Sequence, residues 1–166
     1  MHRPRHAHRI FTAASPERSL RFTDQPGGVT DNQTMGTLRI ALIAHDARKE
    51  DMREWAIWNR NVLGEATIYS TRHTGELVSR ATGLPVHLLL SGPHGGDAQV
   101  AAMIANSGLD IVIFFWDPLS TQPHSADVQS LIRLAVLHNV AIACNRRSAD
   151  LMISSRTLDD VIERAS

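Results

Sequence analysis

Ile111-Val112-Ile113-Phe114-Phe115-Trp116 is an apolar run of six, as long as any in the chain, and it is apolar at odd and even positions alike. A strand sends alternate side chains to opposite faces, so a run without polar alternation reads as a strand covered on both sides. With six residues it also falls far short of the ~20 needed to cross a bilayer. A strand buried on both faces needs helices above and below it, and the flanking sequence supplies them. Leu38 to Ala44 reads as a second buried strand, Thr67 to Tyr69 as a short one, and Val86 to Leu90 and Val140 to Cys144 as two more.

Between these strands the apolar period changes to that of a helix. Lys49 to Leu63 places Met52, Trp55, Ala56, Val62 and Leu63 on one face, with Gly64 as its stop. Further helices are expected from Thr74 to Thr82 (closed by Gly83), from Asp97 to Asn106 (ended by Gly108), around Val128, Leu131, Ile132 and Ala135, and over most of Ser148 to Ser166. Five strands alternating with helices predict a doubly wound three-layer α/β/α sandwich with a five-stranded, mainly parallel sheet.

Composition narrows the function. The chain has 166 residues, 43% of them hydrophobic, enough for one domain with a real core. Seventeen basic and seventeen acidic residues cancel, which disfavours non-specific nucleic-acid binding. A single cysteine, Cys144, excludes an intrachain disulfide and a multi-cysteine zinc site. With no signal-peptide core and no membrane-spanning run, the expected location is cytoplasmic. Residues 1–37, rich in arginine, histidine and proline and without apolar period, are expected to be a disordered tail, with 38–166 as the folded domain. Met35, just before the first strand, is an alternative initiator.

In open parallel sheets ligands bind beyond the carboxyl ends of the strands. The loops after the five strands carry His45, Asp46 and Lys49; then Thr71, Arg72, His73 and Thr74; then Ser91, Gly92, His94 and Asp97; then Asp117, His124 and Asp127; then Asn145, Arg146 and Arg147. Four of the nine histidines and the chain's one lysine, beside sixteen arginines, fall on this rim. Ser91-Gly92 offers a hydroxyl and close backbone approach. Thr71 and Thr74 sit at a helix start, where free N–H groups favour an anion, and Lys49 adds a point charge. These parts suit a small phosphate ester. No G-x-x-x-x-G-K-[ST] and no G-x-G-x-x-G after the first strand is present, so nucleotide and dinucleotide loops are not expected. Asp46, Asp97, Asp117, Asp127 and His124 form an acid–base set. Carboxylates sharing a partly desolvated pocket are expected to have their pKa values pushed apart. Taken one by one, Asp97 also fits a helix cap and Ser91 to Gly96 a tight turn.

In order along the chain, His45-Asp46 with Lys49, Thr71-x-x-Thr74-Gly75, Ser91-Gly92-Pro93-x-Gly95-Gly96-Asp97, and Phe115-Trp116-Asp117-Pro118-Leu119 through Pro123-His124 and Asp127-Val128 resemble the methylglyoxal synthase family. The resemblance spans about Leu38 to Val161. It implies a lyase that converts dihydroxyacetone phosphate to methylglyoxal and inorganic phosphate with no metal and no organic cofactor, as a homohexamer inhibited by phosphate. Carried over by position, Asp97 would be the catalytic base and His124 would contact substrate oxygens and shuttle a proton, with Asp127 and Asp46 in the acid–base network. His45 would contact substrate, and Lys49, Thr71, Arg72, His73, Thr74, Ser91 and Gly92 would hold the phosphate. Arg72-His73 departs from the family's usual Gly-Thr, and the chain ends where relatives usually continue with a further helix. These departures bear on phosphate affinity and on regulation between subunits.

Two other classes fit parts of the same pattern. A ligand-sensing regulatory domain of this fold would keep the phosphate cradle and lack the carboxylate–histidine set. A metal-dependent phosphohydrolase could draw ligands from His45-Asp46, His94-x-x-Asp97 and His124-x-x-Asp127, although no H-E-x-x-H or dense carboxylate motif supports it.

Overall fold

The structure, a computed structural model, describes residues 37–119 and 125–154, with backbone alone for 125–127. The expectations for residues 1–36, for His124 and for the chain after 154 lie outside the described residues, as does the Asp127 side chain.

Five strands form one sheet: β1 (Arg39–Ala44), β2 (Thr67–Thr71), β3 (His87–Leu89), β4 (Ile111–Phe115) and β5 (Ala141–Ala143). Their spatial order is β3-β2-β1-β4-β5 and every pairing is parallel. Alternation along the two central strands splits the core. Ile40, Leu42, Ile113 and Phe115 pack on one face against α1 (Lys49–Trp58), α3 (Arg72–Thr82) and α6 (Arg146–Ile153), through Met52, Trp55, Val78 and Ile153. Ala41, Ile43, Val112 and Phe114 pack on the other face against α4 (Gly96–Ala105) and α5 (Ser125–Leu137), through Val100, Ile104, Val128 and Leu131. This is the three-layer sandwich the sequence predicts.

Boundaries differ in places, each with a local cause. The helix expected over Lys49 to Leu63 breaks at Asn59 into α1 and the short α2 (Arg60–Gly64). The Asn59 side-chain amide donates to the Trp55 carbonyl at 2.9 Å, competing with the helix ladder. Strand β2 runs on to Thr71, which is also the N-cap of α3, so that helix starts two residues before Thr74. Gly83 closes it with a left-handed φ of 73°. Strands β3 and β5, each with one neighbour at the sheet edges, are shorter than expected. Asp97 does not cap α4: the cap is Gly95, with φ 93°, and Asp97 sits in the first turn.

β1 leads outward to β2 and β3 on one side, and the chain then returns to lay β4 on the other. The order therefore reverses between β1 and β4, where such sheets open a crevice at their carboxyl ends. The His45 amide donates to the Phe115 carbonyl at 3.2 Å across this point, tying the two strand ends together.

Candidate active site

A cavity of about 260 Å³ opens at the carboxyl ends of β1, β2 and β4, beneath the N-termini of α3 and α4. Its floor is apolar: Ile43 and Phe114 from the sheet, Val128 and Leu131 from α5. Among the described residues its rim is polar and comes from three loops. His45, Asp46 and Lys49 succeed β1, Thr71 and His73 begin α3, and Ser91, Gly92, His94 and Asp97 succeed β3. An apolar floor with a few convergent polar groups is the usual make-up of a pocket that binds and orients a small ligand.

The phosphate-type features converge. Thr71 and Ser91 are buried side chains on the cavity wall. The amide of Arg72 donates to the Leu90 carbonyl at 3.3 Å. The amides of His73 and Thr74, in the first turn of α3, lack intrahelical acceptors and lie where an anion is favoured. The loop carrying Ser91 is fastened from beneath, because the Gln99 side chain accepts the Leu90 amide at 2.7 Å. Gly96 is required by close approach: a Cβ there would lie 2.0 Å from the Leu90 carbonyl oxygen.

Lys49 Nζ donates to Asp46 Oδ1 at 2.5 Å, the two residues lying three apart at the start of α1. That hydrogen bond and charge hold the Asp46 carboxyl below its usual range, with His73 and His45 adding to the effect and burial opposing it. Asp46 is thus a fixed anion and not a raised carboxyl poised to donate a proton. Asp97 is half-buried, and among the described residues its Oδ1 accepts only the Ala98 amide, at 2.9 Å. His45 Nδ1 accepts the backbone N–H of Asp117 at 3.3 Å. Its proton is therefore placed on Nε2, with the ring edge-on to Phe114 at 5.2 Å.

Not every residue expected at the site lines it. Thr74 is buried behind the wall, its hydroxyl turned to Thr71 Oγ1 (3.4 Å) and the Ala44 carbonyl (3.5 Å). Arg72 is exposed and is not part of the lining. Asp117 lies outside the cavity and accepts the Leu119 amide at 3.2 Å. Asn145, Arg146 and Arg147 belong to a separate cleft with Arg48, on the Phe115 side of the sheet. There burial pushes the Cys144 thiol up. The sequence marks His94 as a rim residue and, in the phosphohydrolase alternative, as a candidate metal ligand; in the structure its Nδ1 lies 2.8 Å from Ser91 Oγ. Its three-residue offset from Ser91 within a tight turn is the signal for that pair. Among the described residues no three His, Cys, Asp or Glu side chains group as a metal site, and no helix is long and apolar enough to cross a membrane.

Residues 54–144 match the family profile described as MGS-like domain. The methylglyoxal synthase of Leptospira interrogans is 58% identical over 117 residues, covering 70% of this chain and 79% of the relative. That of Pseudoalteromonas translucida is 48% identical over 125 residues, covering 75% and 81%. The crystal structure of methylglyoxal synthase from Elizabethkingia anophelis superposes with a TM-score of 0.70 at 41% identity, over 74% of this chain and 81% of that one.

Proposed function

The chain belongs to the methylglyoxal synthase family and is an enzyme with that activity, and from this premise we propose that it acts as a carbon–oxygen lyase on dihydroxyacetone phosphate. The observation that carries the reading is that one small cavity brings the anion-binding elements (Lys49, Thr71, Ser91, Gly92) together with the Asp97 carboxylate.

Asp97 takes a proton from the hydroxymethyl carbon of the substrate, and the electron pair moves onto the ketone oxygen to give an enediolate. The Nε2–H of His45 is a donor available to an oxygen that gains charge, its tautomer fixed by the Asp117 amide. His124 and Asp127 belong to the same acid–base set by their place in the sequence. The hydroxyl proton on the deprotonated carbon passes to the former ketone oxygen; the oxygen left charged then closes to an aldehyde, the double bond shifts to the methylene carbon, and the carbon–oxygen bond to phosphate breaks with its electron pair leaving on phosphate. The released enol takes a proton on carbon to become methylglyoxal. The apolar floor of Ile43, Phe114, Val128 and Leu131 keeps water from the enediolate. Lys49, the first-turn amides of α3 and the Ser91-Gly92 turn bind the leaving phosphate before and after the bond breaks. The same cradle predicts inhibition by inorganic phosphate, and a homohexamer in the cytoplasm is the assembly and location we assign.

The test is incubation with dihydroxyacetone phosphate, measuring methylglyoxal and free phosphate in equal amounts. Asp97→Asn should lower kcat at least about a hundredfold, the low end of general-base contributions, while inorganic phosphate still binds. A folded Asp97→Asn protein with near-normal turnover would remove Asp97 from the role.

A further inference from the structure

Ser91 is the N-cap of the short 3₁₀ turn Gly92–His94, which brings residues three apart into eclipsed positions. The turn is fixed on both sides: the amides of His94 and Gly96 both donate to the Ser91 carbonyl, at 2.9 and 3.0 Å. The result is a side-chain pair, Ser91 Oγ to His94 Nδ1 at 2.8 Å, with both residues on the cavity wall. Among the described residues the His94 ring has no other hydrogen-bond partner.

From this pair we infer that His94 is a positioning residue, whose Nδ1 proton decides whether Ser91 can donate to a phosphate in the cavity. The inference rests on the proposed phosphate cradle. A serine hydroxyl has one proton and two lone pairs, and a neutral imidazole has one donor and one acceptor nitrogen. If Nδ1 is the acceptor, the Ser91 proton is spent on it and the hydroxyl shows only lone pairs to the cavity. Phosphate oxygens are acceptors too, so that state repels the ligand. If Nδ1 carries the proton, it donates to Ser91 Oγ, and the serine proton is released toward the ligand. An anion in the cradle therefore selects the Nδ1-protonated ring. Among the described residues, the other charged and titratable groups on this cavity are His45, Asp46 and Lys49 after β1, His73 on α3, and Asp97 on α4. Asp46 is engaged by Lys49, and Asp97 bonds to the Ala98 amide. None of them holds the His94 ring in either form.

The experiment tracks the His94 ring nitrogens by long-range ¹H–¹⁵N NMR while the full chain is titrated with inorganic phosphate. It is paired with phosphate dissociation constants for Ser91→Ala, His94→Leu, His94→Asn and the Ser91→Ala/His94→Leu double variant. Saturating phosphate should move Nδ1 of His94 to its protonated signature in the native chain and leave it unmoved in Ser91→Ala. His94→Leu should weaken phosphate about fivefold, the net worth of one neutral hydrogen bond, and raise KM with kcat unchanged. In the Ser91→Ala background the same change should cost nothing. His94→Asn, whose amide reaches the same position, should restore most of the loss. If Ser91→Ala weakens phosphate but the Nδ1 signal ignores the ligand, or His94→Leu costs the same with and without the serine hydroxyl, His94 has no such role. If Ser91→Ala leaves phosphate binding unchanged, the cradle reading at Ser91 falls and this inference falls with it.

Discussion

Replacing Lys49 with methionine separates two jobs that the ammonium could do. The side chain is mostly buried, with 25% exposed, while its partner Asp46 is 79% exposed. An ion pair with one partner so open to water contributes at most about 1 kcal/mol to stability, so Lys49→Met should lower Tm only slightly. Against a bound phosphate the same group makes a charge-assisted hydrogen bond worth about 1.5–3 kcal/mol, or about ten- to hundredfold in affinity. The variant also leaves the Asp46 carboxylate at the cavity rim with no cation across from it. Lys49 lowers the pKa of that carboxyl in the native chain, but a largely exposed aspartate stays ionised at neutral pH without it. A phosphate dianion then meets a bare negative charge, which pushes the effect toward the upper end of the range. The inhibition constant of inorganic phosphate is the cleaner readout, because the ligand undergoes no chemistry, and KM for dihydroxyacetone phosphate should move in parallel. A Lys49→Met protein that keeps both constants within about twofold of native would show that the ammonium serves only Asp46, and that the α3 amides and Ser91-Gly92 hold the phosphate alone.

Far from the site, Arg39 donates to Asp110 through its backbone amide (2.8 Å), Nε (3.1 Å) and a terminal nitrogen (2.9 Å). Burial pushes the Asp110 carboxyl up, but Arg39 outweighs it and the group ends below its usual value. A depressed folded-state value gives stability that is whole above the unfolded value near ~3.9 and lost as pH falls through the folded one. Asp110→Asn should therefore cost about 1–2 kcal/mol at neutral pH and lose less than the native chain between neutral and strongly acidic pH; urea melts at pH 7 and pH 3 check both, and equal losses would refute it. Gly96→Ala would set a methyl 2.0 Å from the Leu90 carbonyl oxygen and 3.0 Å from the Ser91 carbonyl carbon. The backbone under the phosphate turn must shift, so a cost of about 1–3 kcal/mol should come with a raised KM; an unchanged Tm and KM would show that the loop yields freely.

The fold is legible in the sequence because its main signal is physical and local. A strand that is apolar at consecutive positions, such as Ile111 to Phe115, has no solvent face, and that alone demands layers on both sides. Contacts in which a side chain overrules the period are not legible in this way. Nothing in the apolar pattern of Lys49 to Leu63 tells that the Asn59 amide will reach back to Trp55. The residues just beyond each strand end mark the rim, but the rim has two sides. Phe114 faces the cavity and Phe115 the second cleft, so whether a loop residue joins one or the other depends on the turn it sits in. Arg146 and Arg147 lie on the far side, and Thr74 turns inward for the same reason.

The two pairings that shape the cavity's charge share one spacing. Asp46 with Lys49 and Ser91 with His94 are each three residues apart across a 3₁₀ turn, where side chains eclipse. By residue type alone, Asp46 and Asp97 are equals on the rim, either of which could take a proton from substrate. The turn breaks that symmetry. Asp46 is bound to an ammonium and held below the usual carboxylate range, which makes it a poor base as well as a fixed anion. Asp97, in the first turn beyond the left-handed Gly95, has no cation bonded to it among the described residues and keeps its carboxylate on the cavity. A base must give up its solvation to reach a carbon-bound proton, and a group already locked in an ion pair must give up that pair as well. On this ground we propose that Asp97 abstracts the proton and Asp46 tunes Lys49, a division that predicts a large kcat effect for Asp97→Asn and chiefly a phosphate-affinity effect for Asp46→Asn.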